Sequence, residues 1–272
     1  MQFAHLNGVT IHYQVIGAAG KPLIVFANAL GTDFRIWRDV IVRLVGDYAV
    51  LCYDMRGHGL SSTGSVPHSI EQHANDLAAL MDHLQQGPAL ICGLSIGGMV
   101  AQMLWAQRPD LVEALILCDT AHKVGTADSW EACIRAVEQG GVEAVADAVM
   151  QRWFAPAFRE TVECDGYRTM LARQSPDGYA ASCAALRDAD LTGIATRIDV
   201  PAIVVVGEHD GSTPPALCAD FARLIPNARF ELVRNAGHIV PVEQPLMLSE
   251  IIRAFAGLAR EPEVAPGVAT RH

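Results

Sequence analysis

Gly93-Leu94-Ser95-Ile96-Gly97 sets a serine between two glycines, directly after the apolar run Ala89–Cys92 and just before the helical stretch Met99–Trp105. A strand that turns so sharply into a helix strains the serine backbone and needs small neighbours to clear the sheet. It also leaves the hydroxyl exposed at a helix N-terminus, where the dipole favours developing negative charge. Such a serine becomes a nucleophile when a base takes its proton and an acid orients the base. Two later stretches supply both. Ala202–Val206 ends in Gly207-Glu208-His209-Asp210-Gly211, and Phe230–Val233 is followed by Asn235-Ala236-Gly237-His238. Triads built on such a turn run serine, acid, histidine in chain order, each just after a strand. That order makes Asp210 the orienting acid and His238 the base. His209 competes as base but precedes the acid position. Asp119, closing the run Ala114–Cys118, competes as acid; otherwise it caps a turn.

The oxyanion of acyl transfer needs two backbone N–H donors. Ile96, following the serine, is one. The other is expected from Asn28-Ala29-Leu30-Gly31, after the run Leu23–Ala27: Leu30, with Ala29 as the alternative. The Asn28 side chain is read as a brace for that loop. Asp54-Met55-Arg56-Gly57-His58-Gly59 is read as a structural loop packed behind the site, because no Lys-Ser/Thr phosphate signature accompanies it.

These residues need strand ends to carry them. Val9, Ile11, Tyr13 and Val15 alternate with polar residues, the period of a strand with one wet face. Leu23–Ala27, Ala49–Tyr53, Ala89–Gly93, Ala114–Cys118 and Ala202–Val206 are short, continuous apolar runs, as in a parallel sheet buried on both faces. Ile70, Ala74, Leu77, Met81 and Leu84 share one helix face, as do Leu248, Ile251, Ile252, Phe255 and Leu258. The alternation predicts an α/β fold with a doubly wound, mostly parallel sheet. It stops between Asp119 and Pro201. There the pattern is helical, over Ser129–Glu138, Val142–Trp153, Glu160–Arg173 and Asp177–Arg187, and predicts a helical cap lying over the sheet. The expected division is a core of 1–121 and 192–260, a cap of 122–191, and a polar, proline-containing tail, 261–272, expected to be frayed.

Composition narrows the function. A chain of 272 residues, 51% apolar and 18% charged, can bury one large core. Its net charge of −10 argues against nucleic-acid binding, which needs a cationic face. Seven scattered cysteines without a CxxC pair form neither a disulfide framework nor a zinc site, so no metal is expected and a reducing cytoplasm fits best. No secretory signal is visible at Met1–Gln14. Leu84–Gln107 is uncharged and long enough to span a bilayer, but Pro88, Gly93, Ser95, Gly97 and Gly98 break it. Strand, turn and buried helix describe it better, and no membrane association is expected.

The serine turn, Asp54–Ser62, Asp210 and Gly237-His238 together resemble the α/β-hydrolase superfamily over essentially the whole chain. A narrower resemblance is to 3-oxoadipate enol-lactonases. It rests on Asn28–Asp33 with Trp37, on Arg152–Arg159, on Gly178–Ala180 with Cys183–Leu191, and on Gly207–Pro215. Ala29 departs from the polar residue often found there, and nothing beyond Ala259 matches. The resemblance implies a serine hydrolase that opens a small anionic enol-lactone to 3-oxoadipate in aromatic-compound catabolism, without metal or organic cofactor. The substrate keeps a carboxylate, which wants a cation in a partly dry pocket. Arg187, Arg152 and Arg135 are the cap candidates, of which Arg187 is preferred, and Trp153 is expected to floor the pocket. The alternatives are another carboxylesterase, a perhydrolase or a C–C bond hydrolase of this fold, and, in a different class, a ligand-binding receptor that retains a triad.

Overall fold

The computed structural model describes residues 1–260; the tail expected at 261–272 lies outside them. Eight strands form one sheet: β1 (Gln2–Leu6), β2 (Val9–Ile16), β3 (Leu23–Ala27), β4 (Ala49–Tyr53), β5 (Ala89–Leu94), β6 (Val112–Cys118), β7 (Ala202–Gly207) and β8 (Arg229–Val233), in the order β1-β2-β4-β3-β5-β6-β7-β8. β1 and β2 pair antiparallel, as do β2 and β4, and every other pairing is parallel. The doubly wound, mostly parallel sheet is therefore present. The central strands β3, β5 and β7 are buried along their whole length, which is why they read as unbroken apolar runs. β1 escapes a periodicity reading because only Ala4 of its five residues is buried.

The helices are α1 (Arg38–Leu44), α2 (Ile70–His83), α3 (Ile96–Gln107), α4 (Ala127–Gly140), α5 (Glu143–Trp153), α6 (Val162–Ala172), α7 (Pro176–Asp188), α8 (Thr192–Ala195), α9 (Pro215–Leu224), α10 (Val240–Glu243) and α11 (Pro245–Arg260). α2 starts at a capping box: the Ser69 hydroxyl accepts from Gln72 N, and the Gln72 side chain accepts from Ser69 N, each at 3.2 Å. Its face of Ile70, Ala74, Leu77 and Met81 is buried. The uncharged stretch Leu84–Gln107 resolves into β5, a turn and α3, and among the described residues no helix is long and apolar enough to cross a membrane.

Four helices, α4 to α7, take up most of the interval between β6 and β7, each within two residues of its expected bounds, and the short α8 follows them. The two ends of this insertion meet. Leu191 N donates to the His122 carbonyl at 2.8 Å, and Lys123 pairs with Asp190 at 3.1 Å. On that closure we propose to divide the chain into a core of 1–121 and 192–260 and a cap of 122–191.

Candidate active site

Ser95 sits between β5 and α3 with φ 58° and ψ −119°, a left-handed strain of about 1–3 kcal/mol for a residue other than glycine. The surrounding structure holds it there: its N–H donates to the Cys118 carbonyl at 2.9 Å, and the Thr120 hydroxyl donates to its carbonyl at 2.6 Å. The flanking glycines are steric necessities. A Cβ on Gly93 would lie 2.2 Å from the Gly97 carbonyl oxygen, and one on Gly97 would lie 2.3 Å from that of Ala27. The turn therefore packs backbone on backbone, and the serine is the one side chain it projects.

β7 and β8 deliver the other two residues to the same edge. The His238 Nδ1 donates to Asp210 Oδ2 at 2.8 Å, and both side chains are almost wholly buried. That bond leaves Nε2 as the free, basic nitrogen. Asp210 takes three further donors: Ser212 N at 2.7 Å, Thr213 N at 2.9 Å and the Thr213 hydroxyl at 2.7 Å. Burial opposes ionisation of Asp210, but the His238 charge and these hydrogen bonds outweigh it and hold the carboxyl below its ordinary range. Thr213 was not singled out from sequence, although it lies within the Gly207–Pro215 stretch.

Asp119 takes a different partner. Its Oδ1 accepts from Gly207 N at 2.8 Å and ties the end of β6 to that of β7. Burial, then the charge of Asp210, pushes its carboxyl well above the ordinary range. Asp119, Asp210 and His238 have ligand atoms within 4.8 Å of one another, the spacing of an ion site. The Asp210–His238 hydrogen bond already joins two of the three, while Asp119 Oδ2 is buried with no hydrogen-bond partner among the described residues. His209 is exposed and 3.9 Å from Glu208, away from this cluster.

Leu30, Ser95, Trp153 and His238 line one cavity of about 460 Å³, together with Trp130, Cys133, Arg152 and Tyr179 from the cap. Ile96 is the first residue of α3, so its N–H has no carbonyl one turn earlier to bond. The Leu30 loop is braced as expected: Asn28 Nδ2 donates to the Tyr53 carbonyl at 2.8 Å, and its Oδ1 accepts from Trp37 Nε1 at 2.9 Å. Behind it, Asp54 accepts from Phe34 N at 3.0 Å, Leu60 N at 2.9 Å and His12 at 2.8 Å, a structural loop in form.

Arg187 does not join this cavity. It pairs with Asp188 at 2.8 Å and with Glu131 at 2.9 Å, and it lines a separate groove with Pro176 and Asp177. Arg135, on α4, is half spent on Glu131 at 3.5 Å. The cavity cation is Arg152, which forms no ion pair with any carboxylate among the described residues. Its position follows from main-chain bonds at the end of α5. The Arg152 carbonyl accepts from Gly211 N at 3.1 Å, and the Trp153 carbonyl accepts from His238 N at 2.7 Å. The cap thus rests on the loops that carry Asp210 and His238.

Glu243, also unnoticed in the sequence, joins the same parts. Its carboxylate accepts from Gly237 N at 2.6 Å and Ala155 N at 3.0 Å. Burial, ahead of repulsion from Asp210, pushes it from the ordinary 4.5 up to about 7 despite those bonds. The folded protein therefore prefers the protonated acid. The stability this preference contributes is complete below about pH 4.5 and is lost as the pH rises through about 7. Glu243→Gln cannot titrate, so urea unfolding across that window should lose this part of its pH slope. Turning one amide N–H toward a backbone donor should also cost the variant about 1–3 kcal/mol.

Comparison with known proteins agrees with this architecture. A family model described as the alpha/beta hydrolase fold matches residues 22–143. The chain is 36% identical to 3-oxoadipate enol-lactonase 2 of Acinetobacter baylyi over 90% of its own length and 92% of the relative's. It belongs to the α/β-hydrolase family and is an ester hydrolase. Within that family it is also 30% identical to 3-oxoadipate enol-lactonase 1 of the same organism, over 93% of this chain and 94% of that one. The crystal structure of the enol-lactonase from Burkholderia xenovorans LB400 superposes with a TM-score of 0.91 at 35% identity, covering 94% of this chain and 100% of that one.

Proposed function

We propose that the chain hydrolyses 3-oxoadipate enol-lactone to 3-oxoadipate through an acyl-enzyme on Ser95, as a step in the breakdown of aromatic compounds. The observation that carries this reading is one cavity that holds Ser95, His238 and an arginine, Arg152, that no carboxylate neutralises. The names of the relatives supply the substrate class.

In this reading the Ser95 Oγ attacks the ring carbonyl while His238 Nε2 takes its proton. The oxyanion rests on the N–H groups of Leu30 and Ile96. Collapse breaks the ring C–O bond, and the proton held by His238 goes to the departing enol oxygen. An enol is a better leaving group than an alcohol, so little proton transfer is required before the bond breaks. The freed enol becomes a ketone. Water, deprotonated by His238, then attacks the acyl-enzyme and releases the second carboxylate. Asp210 keeps the Nδ1 proton in place and stabilises the imidazolium. Trp153 walls the ring, and Arg152 holds the acetate arm. The seven free cysteines fit a reducing cytoplasm, where we place the reaction.

Spectrophotometric turnover of the enol-lactone beside a neutral aryl acetate tests the substrate. A clear preference for the lactone in kcat/KM supports this reading, and a preference for the aryl ester makes the protein a general esterase. Arg152→Ala should raise KM for the lactone about 10- to 100-fold, the worth of a charge-assisted hydrogen bond, and leave the aryl ester almost unchanged. Arg187→Ala, which removes only surface pairs, one exposed and one half-buried, should change KM on either substrate by less than about threefold. The reverse pattern would return the carboxylate to Arg187.

A further inference from the structure

Two thiols meet at the cavity wall. Cys133 on α4 lines the cavity that holds Ser95, and Cys183 on α7 lies behind it, fully buried, with its Sγ 3.9 Å from that of Cys133. We propose that Cys133 and Cys183 form a peroxide-responsive pair: Cys133 is the modification site, Cys183 resolves it, and the resulting bridge deforms the substrate cavity.

The environments divide the labour between the two sulfurs. Cys183 donates its S–H to the Cys133 sulfur, so the Cys133 thiolate is the better solvated of the two. That hydrogen bond, together with the nearby Arg152 charge and the Tyr179 hydroxyl, brings the Cys133 thiol down to about 7 against the opposing effect of burial. The same hydrogen bond, then burial, pushes Cys183 up. Cys133 is also partly exposed on the cavity, whereas Cys183 is sealed from solvent. The exposed member is thus the nucleophile and the buried one sits where a resolving thiol belongs.

A second pair supplies an internal contrast. Cys92 and Cys118, on the adjacent strands β5 and β6, are 4.0 Å apart, but both are fully buried and away from the cavity lining. The contact with Cys92, with burial, pushes Cys118 well up. Burial raises Cys52 to about 12 and also raises Cys164 and Cys218. Proximity of two sulfurs is therefore not enough; Cys133 alone combines a close partner thiol with a lowered pKa and access from the cavity.

The chemistry balances with a hydroperoxide as the oxidant. The Cys133 thiolate attacks one peroxide oxygen, an S–O bond forms, the O–O bond breaks, and hydroxide or alkoxide departs and takes up a proton. Sulfur is oxidised by two electrons and the peroxide is reduced to water or an alcohol. Cys183 then attacks the sulfenic sulfur. The S–S bond forms, the S–O bond breaks, and the hydroxyl leaves as water with the Cys183 proton. Closing from 3.9 Å to the ~2.05 Å of a disulfide draws α4 toward α7. Trp130 and Ala136, which flank Cys133 on α4 and line the cavity, move with it.

The test uses the full chain, hydrogen peroxide, and an aryl acetate as a reporter that does not depend on the enol-lactone assignment. Peroxide should produce a Cys133–Cys183 bridge by peptide mapping. Esterase activity should fall in proportion to the bridged fraction, and dithiothreitol should restore both. Cys183→Ser should stop the reaction at the sulfenic acid, trapped by dimedone on Cys133. Cys133→Ser, whatever its starting activity, should keep the same fraction of it after peroxide. Recovery of both thiols unmodified, bridging at Cys92–Cys118 instead, or a full bridge with undiminished turnover would each overturn the proposal. Reversal by dithiothreitol separates the bridge from methionine oxidation, which that thiol does not undo.

Discussion

Ser95→Ala should lower kcat on any ester substrate by at least about 10⁴-fold while the protein stays folded. In the proposed mechanism this removes the nucleophile and with it the covalent route, and the oxyanion donors and bound water that remain sustain only the residual rate such sites keep. The fold has little reason to respond. Ser95 is anchored through its own N–H and carbonyl, to Cys118 and Thr120, and alanine keeps both bonds. Alanine also tolerates the φ of 58° about as well as serine does, so no new backbone strain enters. The measurement pairs single-turnover kinetics on the aryl acetate with a urea unfolding curve. Loss of activity with an unchanged midpoint supports the assignment. Wild-type turnover would remove Ser95 as nucleophile, and a lowered midpoint would mean that the turn depends on the hydroxyl.

The parts of this site that the sequence displays are those whose chemistry is tied to a strand end. Gly93-Leu94-Ser95-Ile96-Gly97 announces itself because a Cβ at either glycine collides with backbone, so the sterics are written as composition. Asp210 and His238 follow fully apolar or edge strands within a few residues, and the parallel sheet brings those ends to one edge. The cap differs. Its helices are legible from periodicity, but the direction of one cation is not. Arg187 and Arg152 both sit in the last turn of a helix. What separates them is tertiary: Glu131 comes across from α4 to hold Arg187, while Gly211 and His238 hold the end of α5 against the core. Glu243 was invisible for a similar reason. It lies on the four-residue α10, and its role depends on Ala155, which approaches from the cap.

Two of the buried aspartates, Asp119 and Asp210, invite a direct contest. Each follows a strand, each is nearly or fully buried, and their oxygens lie within 4.8 Å of one another and of His238. Two carboxylates that close in a dry site do not both ionise readily, so the donors around them decide which one carries the charge. Asp210 has His238, Ser212 N and both donors of Thr213, whereas Asp119 has Gly207 N. The pKa directions follow, Asp210 down and Asp119 well up. That direction favours the neutral acid at Asp119, and asparagine reproduces both its shape and the oxygen that accepts from Gly207. Asp119→Asn should therefore cost less than about tenfold in kcat. Asp210→Asn presents an amide to His238 in place of a full negative charge, favours the wrong tautomer and withdraws the counter-charge for the imidazolium. It should cost about 10⁴-fold. Because the Asp210 carboxyl lies below its ordinary range, its support for the charged triad should persist at neutral pH and fail only as the pH drops through that lowered value. The comparison is kcat for the two variants against pH on one ester. Equal losses, or a larger loss from Asp119→Asn, would move the orienting role from the end of β7 to the end of β6.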